Sequence, residues 1–222
     1  MKCIIPLILT FIFLPFAIIY SQVDQYIQLP NNGKISIAKE SDSWIKVSVP
    51  FNILANPKID GLRNSRPSTI EEAFNPDYVD DVKVKLSLCF RNEFKKKALR
   101  NNSILDSQYY QYYSSEITYQ TIKVDRNTKY ANFVFPTALA ERDGFGGNYI
   151  QPVGHVVEIS ISGAPQSLSN AITFDKYRDD ATLLKFKEQA ELKAVVNDGV
   201  LIPAHKVLNN YFQKDAYIKI IP

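Results

Sequence analysis

Alternation of apolar and polar side chains with a period of two is the dominant pattern along this chain. In residues 82–90, five apolar side chains alternate with Lys83, Lys85 and Ser87. Successive side chains of a β-strand point to opposite faces, so this segment predicts a strand with one buried and one exposed face. Residues 44–51 show the same alternation and predict a second strand of this kind.

Further segments of this type recur along the chain. They lie at residues 34–39, 117–124, 130–135, 153–161 and 217–220. The polar connection 125–128 predicts that the two strands flanking it form a hairpin. About seven strands in a chain of this size predict a mainly β fold of two packed antiparallel sheets.

Two segments interrupt the strand pattern. Apolar residues at helical spacing predict one flanking helix in the C-terminal third, at about residues 180–196. Asp179 and Asp180 are suited to cap its start. The proline-containing segment 55–78 predicts a long loop, a feature that is often functional.

The beginning of the chain has the pattern of an export signal. Lys2 precedes an uncharged apolar stretch, and polar residues begin at Ser21. This predicts a signal peptide over residues 1–22, followed by a single β-sandwich-type domain over 23–222. The competing interpretation is an uncleaved membrane helix, which two prolines within the apolar stretch disfavour. We therefore expect no membrane span after cleavage, and a location in the periplasm, at the outer membrane or outside the cell.

Composition narrows the classes of function. The chain has 26 basic and 23 acidic residues, a balance that argues against a nucleic-acid partner. The two histidines, His155 and His205, have no cysteine or histidine at ligand spacing, so no metal or other cofactor is expected. Without a recognisable nucleophile motif, no catalytic residue is assigned and the chain is not expected to be an enzyme. Cys89 is the only cysteine after residue 22, so no disulfide is expected.

Two neighbouring clusters are candidate binding residues. Tyrosine combines apolar area with a hydrogen-bonding hydroxyl and is common at interfaces. Consecutive lysines suit an acidic partner or an anionic lipid. The residues are Lys95, Lys96, Lys97, Tyr109, Tyr110, Tyr112 and Tyr113. Two alternatives stay open: strand alternation places some of these rings in the core, and the lysines form a solvated run that protects a sheet edge.

Several segments, in their order and spacing, resemble a known family. They are the Trp-led strand 44–51, the acidic pair 80–81 before strand 82–90, the Tyr-rich run 112–119, the Phe-Val-Phe-Pro sequence 133–136 and residues 156–159. In this order they resemble a family of exported immunoglobulin-like proteins of verrucomicrobial bacteria that are associated with type IV pili. The resemblance implies an immunoglobulin-like antiparallel β-sandwich outside the cytoplasm, with an envelope or pilus-related protein as partner.

Two functions follow as expectations. The first is an exported, non-enzymatic structural or interaction protein of the cell envelope, associated with type IV pilus-like machinery. The alternative is a secreted binding module that recognises glycan or a host polymer through a tyrosine-rich surface. The oligomeric state is not indicated by the sequence.

Overall fold

Two antiparallel β-sheets lie against a shared apolar core in the computed structural model. The structure describes residues 25–61, 69–70, 73–98, 106–146, 150–175, 177–208, 211 and 215–218. The predicted signal peptide, residues 1–22, lies outside the described residues. The predicted fold class, a mainly β antiparallel sandwich with one helix in the C-terminal third, is confirmed.

Eleven strands and four α-helices are assigned within the described residues. The strands are β1 (Ile27–Gln28), β2 (Ser36–Lys39), β3 (Trp44–Ile53), β4 (Tyr78–Arg91), β5 (Tyr110–Lys123), β6 (Lys129–Pro136), β7 (Gly154–Ile161), β8 (Ala164–Pro165), β9 (Ile172–Phe174), β10 (Ile202–Pro203) and β11 (Ala216–Ile218). The helices are α1 (Lys58–Gly61), α2 (Glu93–Ala98), α3 (Thr137–Asp143) and α4 (Asp180–Ala194). Short 3-10 turns occur between them, including Asn31–Gly33.

The first sheet is built around two long strands and the second around three. In the first sheet β3 pairs with β6, and the short strands β1, β2 and β10 extend it. In the second sheet β4 is central between β5 and β7, with β11, β8 and β9 at its margins. All strand pairs are antiparallel, so side chains alternate between the core and the outer face in both sheets.

The alternation in residues 82–90 is confirmed for the inward side chains but only partly for the outward ones. Val82, Val84, Leu86 and Leu88 are all fully buried between the sheets. Ser87, which the pattern predicted to be exposed, is 2% exposed. The reason is that α4 covers the outer face of β4 and β5 at this end, so both faces of the sheet are buried there.

An ion-pair cluster lies at the edge of the area that α4 covers. Lys187 on α4 and Lys85 on β4 both contact Glu158 of β7, at 2.7 and 3.2 Å. Burial raises the pKa of Glu158, but the two lysines outweigh burial and hold it below its ordinary value. The carboxylate is therefore ionised at neutral pH and links the helix to the sheet.

The predicted hairpin over residues 117–135 is wrong. β5 and β6 lie in different sheets, and the connection between them crosses from one sheet to the other. Both strands turn apolar faces toward the same core from opposite sides, and the Tyr119 hydroxyl donates to the Tyr130 carbonyl oxygen across it, at 3.2 Å. Lys129, only 4% exposed, anchors the crossing by donating to both carboxylate oxygens of Asp125 at 2.9 Å.

The helix prediction for the C-terminal third is confirmed, with α4 ending at Ala194 rather than near 196. Asp179 is its N-cap, because one carboxylate oxygen accepts a hydrogen bond from the Thr182 backbone at 2.9 Å. A 3-10 turn, Val195–Asn197, follows directly. The predicted loop 55–78 contains α1, and its residues 62–68 and 71–72 lie outside the described residues.

Candidate interaction surface

Three of the four tyrosines proposed as binding residues are in the interior. Tyr109 is 4%, Tyr112 3% and Tyr113 1% exposed. The prediction that these rings form an exposed binding surface is therefore wrong for these three residues. Tyr110 is half-buried, and its ring meets Phe174 edge-on at 6.1 Å between centroids.

Tyr113 points inward, into an aromatic cluster between the two sheets. Its ring lies 4.8 Å from Phe135 and 6.2 Å from Phe90, measured between centroids. Its hydroxyl donates to Gln111 Oε1 at 2.9 Å, and Asp143 Oδ2 lies at 3.4 Å. Burial, reinforced by the Asp143 carboxylate, raises the pKa of Tyr113, so the phenol stays protonated. The environment of Tyr113 is that of a core residue.

Tyr112 points to the opposite face of the sheet, where α4 covers it. Its ring lies 6.2 Å from the ring of Phe186, and the ammonium of Lys193 lies 5.6 Å above it. Cys89 is buried in the same layer, and burial raises the pKa of its thiol to about 12. This thiol is therefore protonated at neutral pH, as expected for a structural cysteine.

The three lysines, by contrast, are exposed on α2, as the sequence predicted. The helix begins at a fixed point, because Asn92 is only 2% exposed and its side-chain oxygen accepts a hydrogen bond from the Lys95 backbone at 2.9 Å. The Asn92 backbone N–H in turn donates to the Tyr109 carbonyl oxygen at 2.9 Å. This backbone hydrogen bond thus joins the segments that carry the two predicted clusters. The lysines lie on the surface, whereas the Tyr109 ring is buried in the interior.

Phe94 is an exposed aromatic residue at this position that the tyrosine and lysine pattern did not predict. It lies on α2 directly before the lysines, and its side chain is 55% exposed. Its ring rests on Gly144, where an added Cβ would lie 3.0 Å from Phe94 Cδ2. Gly144 ends α3 in the left-handed conformation, with φ 78°. The sequence feature that could have identified Phe94 is its position as the one apolar residue within the charged run 93–97.

We call Phe94, Lys95, Lys96 and Lys97 the α2 surface. It presents part of an aromatic ring beside three consecutive cations on one short helix. The only acid on that helix, Glu93, has a carboxylate oxygen 3.9 Å from the guanidinium of Arg91. The α2 surface is therefore positively charged around an apolar contact point.

Other chemistry-bearing groups are used in packing. His155 is 6% exposed, its Nε2 lies 3.1 Å from the Gly33 carbonyl oxygen, and burial lowers its pKa. Within the described residues, no cluster of three or more His, Cys, Asp or Glu side chains is placed to hold a metal ion. In the same part of the chain, no helix has both the length and the apolar character needed to span a membrane.

Comparison with solved structures finds a similar fold. A crystal structure of a protein from the verrucomicrobial bacterium Akkermansia muciniphila superposes with a TM-score of 0.51, covering 88% of this chain and 93% of that one. The two sequences are 15% identical. No family model matches this sequence, and no curated protein matches it. At this level of identity, the likeness shows a related fold and nothing further.

Proposed function

We propose that this protein is an exported, non-enzymatic interaction protein of the cell envelope, and that its α2 surface binds an acidic segment of a partner protein. The observation that carries the proposal is the placement of the half-exposed Phe94 ring beside Lys95, Lys96 and Lys97. The partner to be tested first is an envelope or pilus-related protein, the class implied by the sequence resemblance.

The chemistry of the α2 surface favours a protein ligand. Aromatic residues are enriched in the centre of protein interfaces, where a buried ring contributes most of the contact energy. Charged residues at the rim accelerate association with an oppositely charged partner. Because Asn92 and Gly144 hold the helix and the ring in position, little ordering is needed on binding.

Export is supported by the apolar stretch that follows Lys2 and ends before Ser21. The sandwich fold shared with a verrucomicrobial protein is consistent with the family that the sequence resembles. The glycan-binding alternative loses the surface on which the sequence based it, because Tyr109, Tyr112 and Tyr113 are buried.

The proposal is tested by capture from an envelope extract with charge-reversed variants. Immobilised mature protein is expected to retain an acidic envelope protein at low salt. The variant K95E/K96E/K97E is expected to lose this protein, since the three charges that steer it are reversed. Phe94→Ser should weaken retention at all salt concentrations, because it removes the apolar contact.

The matched control is K34E/K123E/K185E. It reverses three other exposed lysines, which lie far apart in the chain, and makes the same change in net charge. If both triple variants lose the retained protein equally, total charge explains the binding and the proposal is contradicted. Retention that neither variant changes contradicts it as well.

A further inference from the structure

A second surface feature lies at the start of α4 and shares no lining residue with the α2 surface. It is a groove of about 740 Å³ between the first turn of α4, the residues around β9 and the Asn31–Gly33 turn. Its lining combines apolar and polar groups and includes Asn32, Asn170, Tyr177, Arg178, Asp180 and Leu183. A volume of this size is within the usual range for small-ligand sites, about 300–1,000 Å³.

Tyr177 provides a supported aromatic platform in this groove. Its ring lies nearly parallel to Phe174, with 5.4 Å between centroids and 17° between planes. Phe174 in turn stacks on Phe186 of α4 at 4.3 Å and 11°. Phe186 is 3% exposed and Tyr177 is 50% exposed, so the stack runs from the interior to the surface. The outermost ring is thus held in position while half of it remains accessible.

Two asparagines stand at the groove on turns that are fixed against each other. Asn32 and Asn170 both have left-handed backbones, with φ of 56° and 58°. Gly33 allows the two turns to pack closely, because an added Cβ at this position would collide with the Asn170 carbonyl oxygen. The Gly33 carbonyl is held by His155 Nε2 at 3.1 Å. The amides therefore have a fixed backbone support, and each offers both donors and an acceptor.

A cation and an anion complete the polar lining. Arg178 Nη1 donates to the carbonyl oxygens of Tyr177 at 2.7 Å and Asp175 at 3.3 Å, which orients its guanidinium beside the platform. Asp180 contributes a carboxylate at the start of α4. A donor and an acceptor of this kind suit neighbouring hydroxyls, and among the described lining residues one positive and one negative side chain favour an uncharged ligand.

We propose that this groove binds a neutral saccharide, with one sugar ring stacked on Tyr177. The apolar C–H face of a pyranose would lie on the aromatic ring, while its hydroxyls reach Asn32, Asn170, Arg178 and Asp180. Amides, a guanidinium and a carboxylate offer the donors and acceptors that the hydroxyls of a sugar need, whereas an extended peptide needs mainly a row of backbone partners. This binding activity is separate from the protein contact proposed for the α2 surface.

The test is an array of neutral oligosaccharides built from glucose, galactose, mannose and N-acetylglucosamine, followed by calorimetric titration of the sugar retained best. Tyr177→Ala is expected to weaken binding at least tenfold. Tyr177→Phe is expected to stay within threefold of the wild type, because it keeps the ring. Tyr217→Ala removes a tyrosine that is 61% exposed on β11 and is the matched control, with no expected effect.

Melting temperatures of the variants establish that each is folded. A second variant, Asn170→Ala, should weaken binding without removing the platform. The K95E/K96E/K97E variant should bind sugar normally, so that failure of this site and failure of the α2 surface are distinguishable. Retention of no sugar on the array overturns the proposal. Equal sugar binding by Tyr177→Ala and wild type overturns it too, as does binding of unstructured peptides alone.

Discussion

Replacing Tyr113 by alanine tests whether the tyrosine cluster belongs to the core. The ring is 1% exposed and lies between Phe90 and Phe135 in the space between the sheets. A buried aromatic side chain removes about 150–250 Å² from water, which at about 25 cal/mol per Å² corresponds to about 4–6 kcal/mol. Part of this area is already buried in the unfolded chain, so the figure is an upper bound. We expect Tyr113→Ala to lower the free energy of unfolding by about 3–5 kcal/mol.

The measurement is urea denaturation of purified protein, followed by circular dichroism. Tyr113→Phe keeps the ring and loses the hydrogen bond to Gln111, so it should cost only about 0.5–1.5 kcal/mol. Tyr217→Ala is the surface control, because Tyr217 is 61% exposed, and it should change stability by less than about 0.5 kcal/mol. Equal and small effects of Tyr113→Ala and Tyr217→Ala would refute the assignment of Tyr113 to the core.

Three further predictions concern stability, pH and processing. Leu86→Ala should cost about 2–5 kcal/mol in denaturation because the side chain is fully buried, whereas Lys85→Ala, which removes a partly exposed ion pair with Glu158, should cost less than about 1 kcal/mol. Burial lowers the pKa of His155 below 6.5, so the neutral ring contributes its full stabilisation to the fold above that pH. Below it, the free energy of unfolding declines because the unfolded chain binds the proton more readily. A series of unfolding free energies against pH should show this decline in the wild type and not in His155→Gln. N-terminal sequencing of the native protein should begin after residue 21 or 22, and an intact Met1 would contradict the export prediction.

Parts of the long strands of both sheets could be predicted from the sequence because their signal is local, whereas the two- and three-residue strands β1, β8, β9 and β10 were not predicted. Alternation in residues 82–90 identified all five inward side chains, since a strand with one buried face needs only a period of two. The start of α4 was accessible for the same reason, because the Asp179 cap acts on the next turn of the chain. Such features depend on residues that are close in sequence.

The positions of the tyrosines depend on residues distant in sequence. Strand alternation places Ser87 on the outer face of β4, and Tyr112 lies on the same face of the sheet. The packing of α4, which begins at residue 180, buries both side chains. The sheet crossing between β5 and β6 is likewise decided by which strands pair, and a short polar connection is compatible with either arrangement. The lysines of α2 were predicted correctly as exposed, whereas Phe94 was missed because its exposure depends on the packing of α2 against Gly144.

Site-specific photocross-linking in the source cells shows directly whether the α2 surface contacts a partner protein. A photoreactive amino acid replaces Phe94 on the α2 surface, and in a second variant it replaces Tyr217 on β11, which is similarly exposed. We expect position 94 to form a cross-link to one envelope protein with an acidic segment. Position 217 should not form it, and K95E/K96E/K97E should abolish it. A cross-link that forms equally from both positions, or that persists in the charge-reversed variant, would contradict the claim that the α2 surface binds the partner.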